Sequence, residues 1–237
     1  MQGHTAPDSA AVVFGDALPS VRDYADLLAG PGVERGLLGP REAPRLWERH
    51  LLNCAGLTDL LDDGSTVLDL GSGAGLPGIV LALLRPALTV VLVEPLQRRA
   101  AFLEEAVAAL GLRNTLVRRA RAEELAGKVL ADVVVARAVA PLDRLAGWAL
   151  PLLPAGGRLL ALKGEQADQE LAGCGAALKR AGAAGAEVVD VGAAELGTNA
   201  RVVVVTRGDS TPPTRTPTRS GARPGGITAT SRRRDHR

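Results

Sequence analysis

At 237 residues the chain can bury a sizeable core, and its 46% hydrophobic and 23% charged content is ordinary for a soluble globular protein. The formal charge of +2 hides an asymmetry: 208–237 carry seven arginines against Asp209 and Asp235, leaving the remaining body about three negative. A globally basic fold is thereby excluded, so any nucleic-acid contact needs a local patch; two cysteines without C-x-x-C spacing exclude a disulfide framework and a zinc site.

Only 2% of the residues are aromatic, so the core must be built from Ala, Val and Leu. Residues 1–11 read as a flexible N-terminus. Apolar residues Leu18, Val21, Tyr24, Leu27 and Leu28 recur at helical spacing and predict a helix over 14–28, stopped by Gly30–Pro31–Gly32. A second helix is predicted over 42–61, with Leu46, Trp47, His50, Leu51 and Cys54 on one face. These two make a helical extension over 12–64.

From 65 to 207 the pattern becomes one of alternating strands and helices. Strands are predicted at 66–70, 90–94, 115–118, 132–136 and 158–162, and helices at 78–84, 97–110, 142–152 and 166–181. Such alternation argues for a parallel sheet covered on both faces. Two last strands, 187–191 and 201–206, have no helix between them and predict an antiparallel hairpin at one sheet edge. An α/β, doubly wound, mainly parallel sheet that ends this way is the methyltransferase variant of the architecture. Residues 208–237 repeat Thr, Pro and Arg without apolar periodicity and read as a disordered basic tail. No run reaches the ~18 apolar residues of a membrane span. No charged start leads into an apolar stretch, so a cytoplasmic location is expected.

The first strand runs into V-L-D-L-G-S-G-A-G-L-P-G-I, Val67 to Ile79. Its glycines let the chain turn sharply and bring main chain against a ligand. Read from Gly73 the stretch fits a dinucleotide fingerprint; read from Asp69 it resembles an S-adenosylmethionine loop. A dinucleotide wants amide donors at the helix N-terminus, and Pro77 has none to give. The ammonium of S-adenosylmethionine wants a carboxylate near the strand end, where Asp69 stands. These two residues tilt the balance without closing it.

Glu94 ends the second strand and can accept both hydroxyls of an adenosine ribose in either cofactor class. Glu123 follows the third strand, where an acceptor could meet the adenine amino group. Arg137 closes an otherwise apolar fourth strand and Lys163 closes the fifth, so each needs a partner, ligand or solvent. No G-K-[ST] exists for a phosphate loop. Ser72 lacks the glycines of a nucleophile elbow, having Leu70 and Ala74 on either side. With His4 and His236 in the tails, His50 stands alone, which argues against a histidine metal cluster or a triad.

In order along the chain stand RLWERHLLNC, VLDLGSGAGLPGI, VEPLQRRAAFL, RAEEL, ARAVAPL and LLALKG. On these pieces 12–207 resembles the bacterial ribosomal small-subunit RNA methyltransferase G family, also called glucose-inhibited division protein B. The resemblance implies a class I S-adenosylmethionine-dependent methyltransferase fold. It also implies methyl transfer to N7 of one guanine, guanine 527, in 16S ribosomal RNA or the small ribosomal subunit, by a monomer without metal. By the family's pattern Gly71 and Leu76 line the cofactor in the loop, and Gly73 and Gly75 of the same loop are expected to bind it too. Ala122 and Glu123 meet the adenine, and Arg137 reaches the cofactor or the incoming base. The family's acidic-serine pair is here Asn53–Cys54.

Guanine N7 carries no proton and needs no general base, so Arg137 and Lys163 are expected to position the base rather than activate it. The candidate RNA-facing cluster is Trp47 with Arg45, Arg49 and His50; the alternative packs Trp47 into the sheet. Two other functions stay open: a nicotinamide-dependent oxidoreductase on the same sheet, and a cofactor-sensing RNA-binding protein without turnover.

Overall fold

The computed structural model describes residues 5–209. The basic tail predicted at 208–237 therefore lies almost wholly outside the described residues. Seven strands form one sheet: β1 (Thr66–Leu70), β2 (Thr89–Val93), β3 (Thr115–Arg118), β4 (Val133–Arg137), β5 (Arg158–Leu162), β6 (Ala183–Val191) and β7 (Ala200–Arg207). Their order is β3-β2-β1-β4-β5-β7-β6. β3, β2, β1, β4 and β5 are parallel, and β7 runs antiparallel between β5 and β6. The predicted hairpin is present, with β7 inserted and β6 alone at the edge.

Helices α1 (Ser9–Phe14) and α2 (Leu18–Leu27) precede the sheet, followed by an irregular helical stretch over 43–60 whose middle turn is α3 (Asn53–Ala55). The remaining helices are α4 (Gly78–Leu84), α5 (Gln97–Ala109), α6 (Ala122–Leu125), α7 (Leu142–Ala149) and α8 (Ala167–Ala181). Alternate residues of each central strand serve opposite faces. Val67, Val133, Val135 and Leu160 join α2, the 43–60 stretch, α4 and α5 in one core. Leu68, Val134, Leu159 and Ala161 join α7 and α8 in the other.

The helical extension differs in detail from the sequence reading. It begins at Ser9, inside the segment expected to be flexible, because Ala10 and Phe14 are buried against the first core. The helix predicted over 14–28 breaks at Gly15, which has φ +47°, and α2 restarts with Pro19 in its first turn. The stretch predicted as one helix over 42–61 alternates tight and wide turns after Pro44. Its apolar face is as predicted: Leu46, Trp47, His50, Leu51 and Cys54 are all buried. Trp47 meets Phe14 edge to face, with ring centroids 6.0 Å apart. Trp47 and His50 thus take the packing alternative, and the RNA-facing cluster keeps only Arg45 and Arg49 at the surface.

Candidate active site

In the sheet order, β1 separates strands that cross over in opposite directions, which opens a crevice at the carboxyl ends of the strands. There a cavity of about 600 Å³ is lined by residues that include Gly71, Glu94, Ala122, Glu123, Val139 and Trp148.

The loop after β1 forms because three of its glycines take backbone that side chains resist: φ is +71° at Gly71, +59° at Gly73 and +100° at Gly75. Val139 packs so close to Gly71 that an added Cβ would lie 3.0 Å from it. The amides of Gly71 and Ser72 both donate to the Val93 carbonyl, and Gly73 N–H donates to Glu94 Oε2 at 3.1 Å. Gly75 and Leu76 donate to the Ser72 carbonyl and Ile79 to that of Gly75. Gly78 N–H, the first amide of α4, donates to Asp69 Oδ2 at 3.0 Å. Ser72 Oγ donates to the Asp69 carbonyl at 2.8 Å, a structural task rather than a nucleophile's. Tyr24, fully buried on α2, donates its hydroxyl to the Ala74 carbonyl at 2.8 Å and ties the helical extension to this loop.

Gly78 is set by space rather than by φ. A Cβ there would collide with Leu92 Cδ2 and lie 2.7 Å from Asp69 Oδ2. Gly78→Ala is expected to lower unfolding free energy by about 1–3 kcal/mol, the cost of overpacking a filled core. Denaturant titration checks it; an unchanged midpoint would mean that Leu92 and Asp69 yield without cost.

Asp69 is fully buried, and its Oδ1 has no hydrogen-bond partner. Burial pushes its carboxyl up to about 7, against the pull of the Gly78 and Ser72 hydrogen bonds and the Arg137 charge. Glu94 is also buried; Oε1 accepts Leu96 N–H at 2.9 Å, Oε2 accepts Gly73 N–H, and Arg99 lies 4.0 Å away. Each of its oxygens keeps a lone pair for a further donor.

The structure brings Gly71, Glu94, Ala122 and Glu123 to one cavity. Gly73 lies against Glu94, whereas Asp69, Gly75 and Leu76 are buried and do not line the cavity. Arg137 turns toward the helical extension: its guanidinium donates to the Arg49 carbonyl at 3.4 Å, and its charge pulls against the burial that raises the Cys54 thiol. Burial, helped by the Arg137 charge, pushes His50 down to about 4, so the ring is neutral at physiological pH; its Nε2 pairs with Glu42 Oε2 at 2.9 Å. Asn53 donates to the Asn199 carbonyl at 2.9 Å, pinning the extension to the start of β7.

Lys163, just after β5, finds its partners within the fold. Its Nζ donates to the Ala140 carbonyl at 2.7 Å and to Glu170 Oε1 at 3.0 Å. The same Glu170 oxygen accepts Leu142 N–H at 2.8 Å. The α7 end of the turn between β4 and α7 is thereby held, and that turn contains Ala138, at φ +54°, and the cavity-lining Val139. Sequence reasoning missed Val139, Trp148, Arg99, Arg119 and Arg121 on the cavity wall. The repeated arginines after β3 were the one available signal. Among the described residues no group of three or more His, Cys, Asp or Glu could hold a metal, and no helix is long and apolar enough to cross a membrane.

With this geometry in view, residues 17–196 match the family model described as rRNA small subunit methyltransferase G. The chain belongs to that family. The matched span takes in the 43–60 stretch as well as the glycine loop and the strands that build the cavity. Relatives within the methyltransferase G family include the "Ribosomal RNA small subunit methyltransferase G" of Thermobifida fusca, 52% identical over 99% of this chain and 100% of that protein. The protein of the same name from Kineococcus radiotolerans is 56% identical over 85% of this chain and 80% of its own. Among solved structures, the apo S-adenosylmethionine-dependent methyltransferase SibL aligns at TM-score 0.58 and 20% identity, covering 85% of this chain and 70% of its own. PigF with SAH aligns at 0.53 and 18%, covering 82% and 69%. These likenesses carry the fold: a class I methyltransferase sheet, doubly wound, with the antiparallel β7 that the sequence predicted.

Proposed function

We propose that this member of the methyltransferase G family uses S-adenosylmethionine to methylate N7 of one guanine in 16S ribosomal RNA, working in the cytoplasm on that RNA or on the small ribosomal subunit. The observation that carries the cofactor choice is the fate of the loop amides. From Gly71 to Ile79, Ala74 alone has an N–H without an internal acceptor; Pro77 has none, and Asp69 takes that of Gly78. A pyrophosphate would find no cradle of free donors at the start of α4. The sulfonium cofactor needs none there. The orphaned, buried Asp69 Oδ1 fits its ammonium, Glu94 fits the ribose hydroxyls, and the segment around Ala122 and Glu123 fits the adenine.

S-adenosylmethionine supplies a methyl group on a positively charged sulfur. The chain's own part is alignment. Guanine N7 offers an in-plane lone pair and no proton, so the residues have no proton to remove. That agrees with His50 standing neutral and already paired with Glu42. Arg137, at the end of β4 beside the loop, orients the base through its guanidinium; its charge does not favour the charge that the purine gains. The methyltransferase G name of the relatives supports ribosomal RNA as acceptor.

Lys163 is a positioning residue in this scheme, because its ammonium is engaged by Glu170 and Ala140. Lys163→Met is expected to raise the KM for S-adenosylmethionine on the order of tenfold, the worth of one charge-assisted hydrogen bond, with little change in kcat. Lys163→Arg should restore part of it. A fall in kcat at unchanged KM would return Lys163 to the acceptor.

Calorimetry with S-adenosylhomocysteine and with NAD tests the cofactor choice. Saturable heat with the homocysteine compound alone is expected, and saturable heat with NAD alone would replace the proposal with a nicotinamide-dependent oxidoreductase.

A further inference from the structure

The RNA-facing cluster nominated on the helical extension loses Trp47 and His50 to the core, and Arg49 is drawn to Glu42 at 3.4 Å. A different set of cations stands at the cavity itself. Arg99 on α5, with Arg119 and Arg121 in the segment after β3, lines the cavity. Arg98 adjoins Arg99 on α5, and Arg118 ends β3, the edge strand, where its carbonyl accepts Glu94 N–H.

Arg98, Arg118, Arg119 and Arg121 are exposed, and none of them pairs with an acid among the described residues. Glu94, Glu123 and Glu124 on the cavity wall offset part of this charge, three carboxylates against five arginines. Glu94 is buried and bound to two amides, and Glu124 accepts Arg121 N–H at 3.0 Å. Leu96, 54% exposed, adds an apolar surface on the same cavity wall.

We infer that Arg98, Arg99, Arg118, Arg119 and Arg121 form a phosphate-binding rim that holds the RNA strand across the edge of the sheet, with the target nucleotide over the cavity mouth. The inference rests on RNA being the acceptor, and it locates the docking surface. A body that is negative overall gains its hold on a polyanion from such a local arc, whose arginines are planar, multidentate and always charged. The four unpaired arginines of this arc cost self-repulsion, which phosphates relieve, while Arg99 pairs with Glu94 at 4.0 Å. Arg99 closes the arc over the buried Glu94.

The test uses the full chain with its C-terminal tail intact, deproteinised 16S ribosomal RNA as the probe, and binding measured across a salt series. Arg98→Gln/Arg118→Gln changes two rim residues outside the cavity lining. Each phosphate contact to single-stranded RNA contributes about 0.7 to the slope of log affinity against log salt, so the double variant should lower that slope by about 1.4. Affinity for S-adenosylhomocysteine should stay within about twofold, which separates loss of docking from loss of fold.

Arg45→Gln/Arg49→Gln, on the helical extension, should leave the slope near that of the unaltered chain. A slope unchanged by the rim substitutions, or lowered by the extension pair alone, would overturn the inference. So would a rim effect seen with assembled subunits and absent with deproteinised RNA, which would assign the rim to an acidic protein surface. If the unaltered chain shows no salt-dependent binding to the RNA, the acceptor proposal fails and the rim with it.

Discussion

Arg137→Ala is expected to slow methyl transfer by roughly a hundredfold or more, about 2.7 kcal/mol of barrier, while the protein stays folded. The size follows from where the guanidinium lies. It bridges the end of β4 to the helical extension through the Arg49 carbonyl, and its charge reaches His50, Cys54, Asp69 and Tyr24. Removing it loosens the end of β4 from the helical extension. A misplacement of about 1 Å in an alignment-driven reaction costs on that order.

Two further readouts belong to the same variant. The Arg137 charge helps to hold His50 down, so the His50 titration should move up from about 4 in nuclear magnetic resonance spectra. Lys in place of Arg should not restore the rate, because a point charge lacks the planar, multidentate donor set of the guanidinium. Full turnover in Arg137→Ala would remove this residue from the mechanism.

Asp69→Asn carries the second large effect. The asparagine carbonyl can still accept Gly78 N–H, so the loop keeps its cap. What disappears is the negative charge offered to the cofactor's ammonium. Affinity for S-adenosylmethionine should fall roughly ten- to a hundredfold, the worth of a hydrogen bond to a charged group. In the unaltered protein the ammonium should pull the Asp69 carboxyl down from about 7, so cofactor binding near neutral pH releases a proton. Calorimetry in two buffers of different ionisation enthalpy measures that release. Equal release or equal affinity in the variant would place the ammonium elsewhere.

The same substitution has a stability signature. In the folded protein Asp69 keeps its proton up to about pH 7, while in the unfolded chain it gives it up near 3.8. Its contribution is therefore complete below the unfolded value and is lost as pH rises through about 7. His50 acts in the opposite sense: folded near 4 and unfolded near 6.5, it favours the folded state increasingly as pH climbs between them. Between pH 5 and 6.5 the two slopes, at most about 1.4 kcal/mol per pH unit each, oppose one another. Asp69→Asn should unmask the His50 rise across that window, and Asp69 alone should weaken the unaltered protein between 6.5 and 7.

The sheet was legible where apolar runs are bounded by turns. Predicted strands at 66–70, 115–118 and 158–162 coincide with β1, β3 and β5. The start of β6 was hidden because Ala183–Ala184–Gly185–Ala186 is small, exposed after the half-buried Ala183, and without alternation. The four-residue α6 is shorter than the helical period needs. In the extension, Gly15 and Pro44 interrupt what the apolar spacing joined.

The crevice was legible through chemistry carried by single residues: Gly71, Glu94 and Glu123 line it as their strand-end positions implied. Lys163 could not be read from spacing. Arg137 and Lys163 look equivalent as cations closing strands. Their difference lies in Glu170, which reaches Lys163 from α8, and in the Arg49 carbonyl, 88 residues from Arg137 in sequence. Contacts made across the fold leave no local mark.

The most direct measurement incubates the protein with S-adenosylmethionine and 16S ribosomal RNA from cells lacking this gene, then maps RNA fragments by mass spectrometry. One added methyl group on a single guanine, with strand scission under the conditions that reveal N7-methylguanosine, is the predicted result. An unmethylated RNA in the presence of demonstrable cofactor binding, or a methyl group on an atom other than guanine N7, would contradict it.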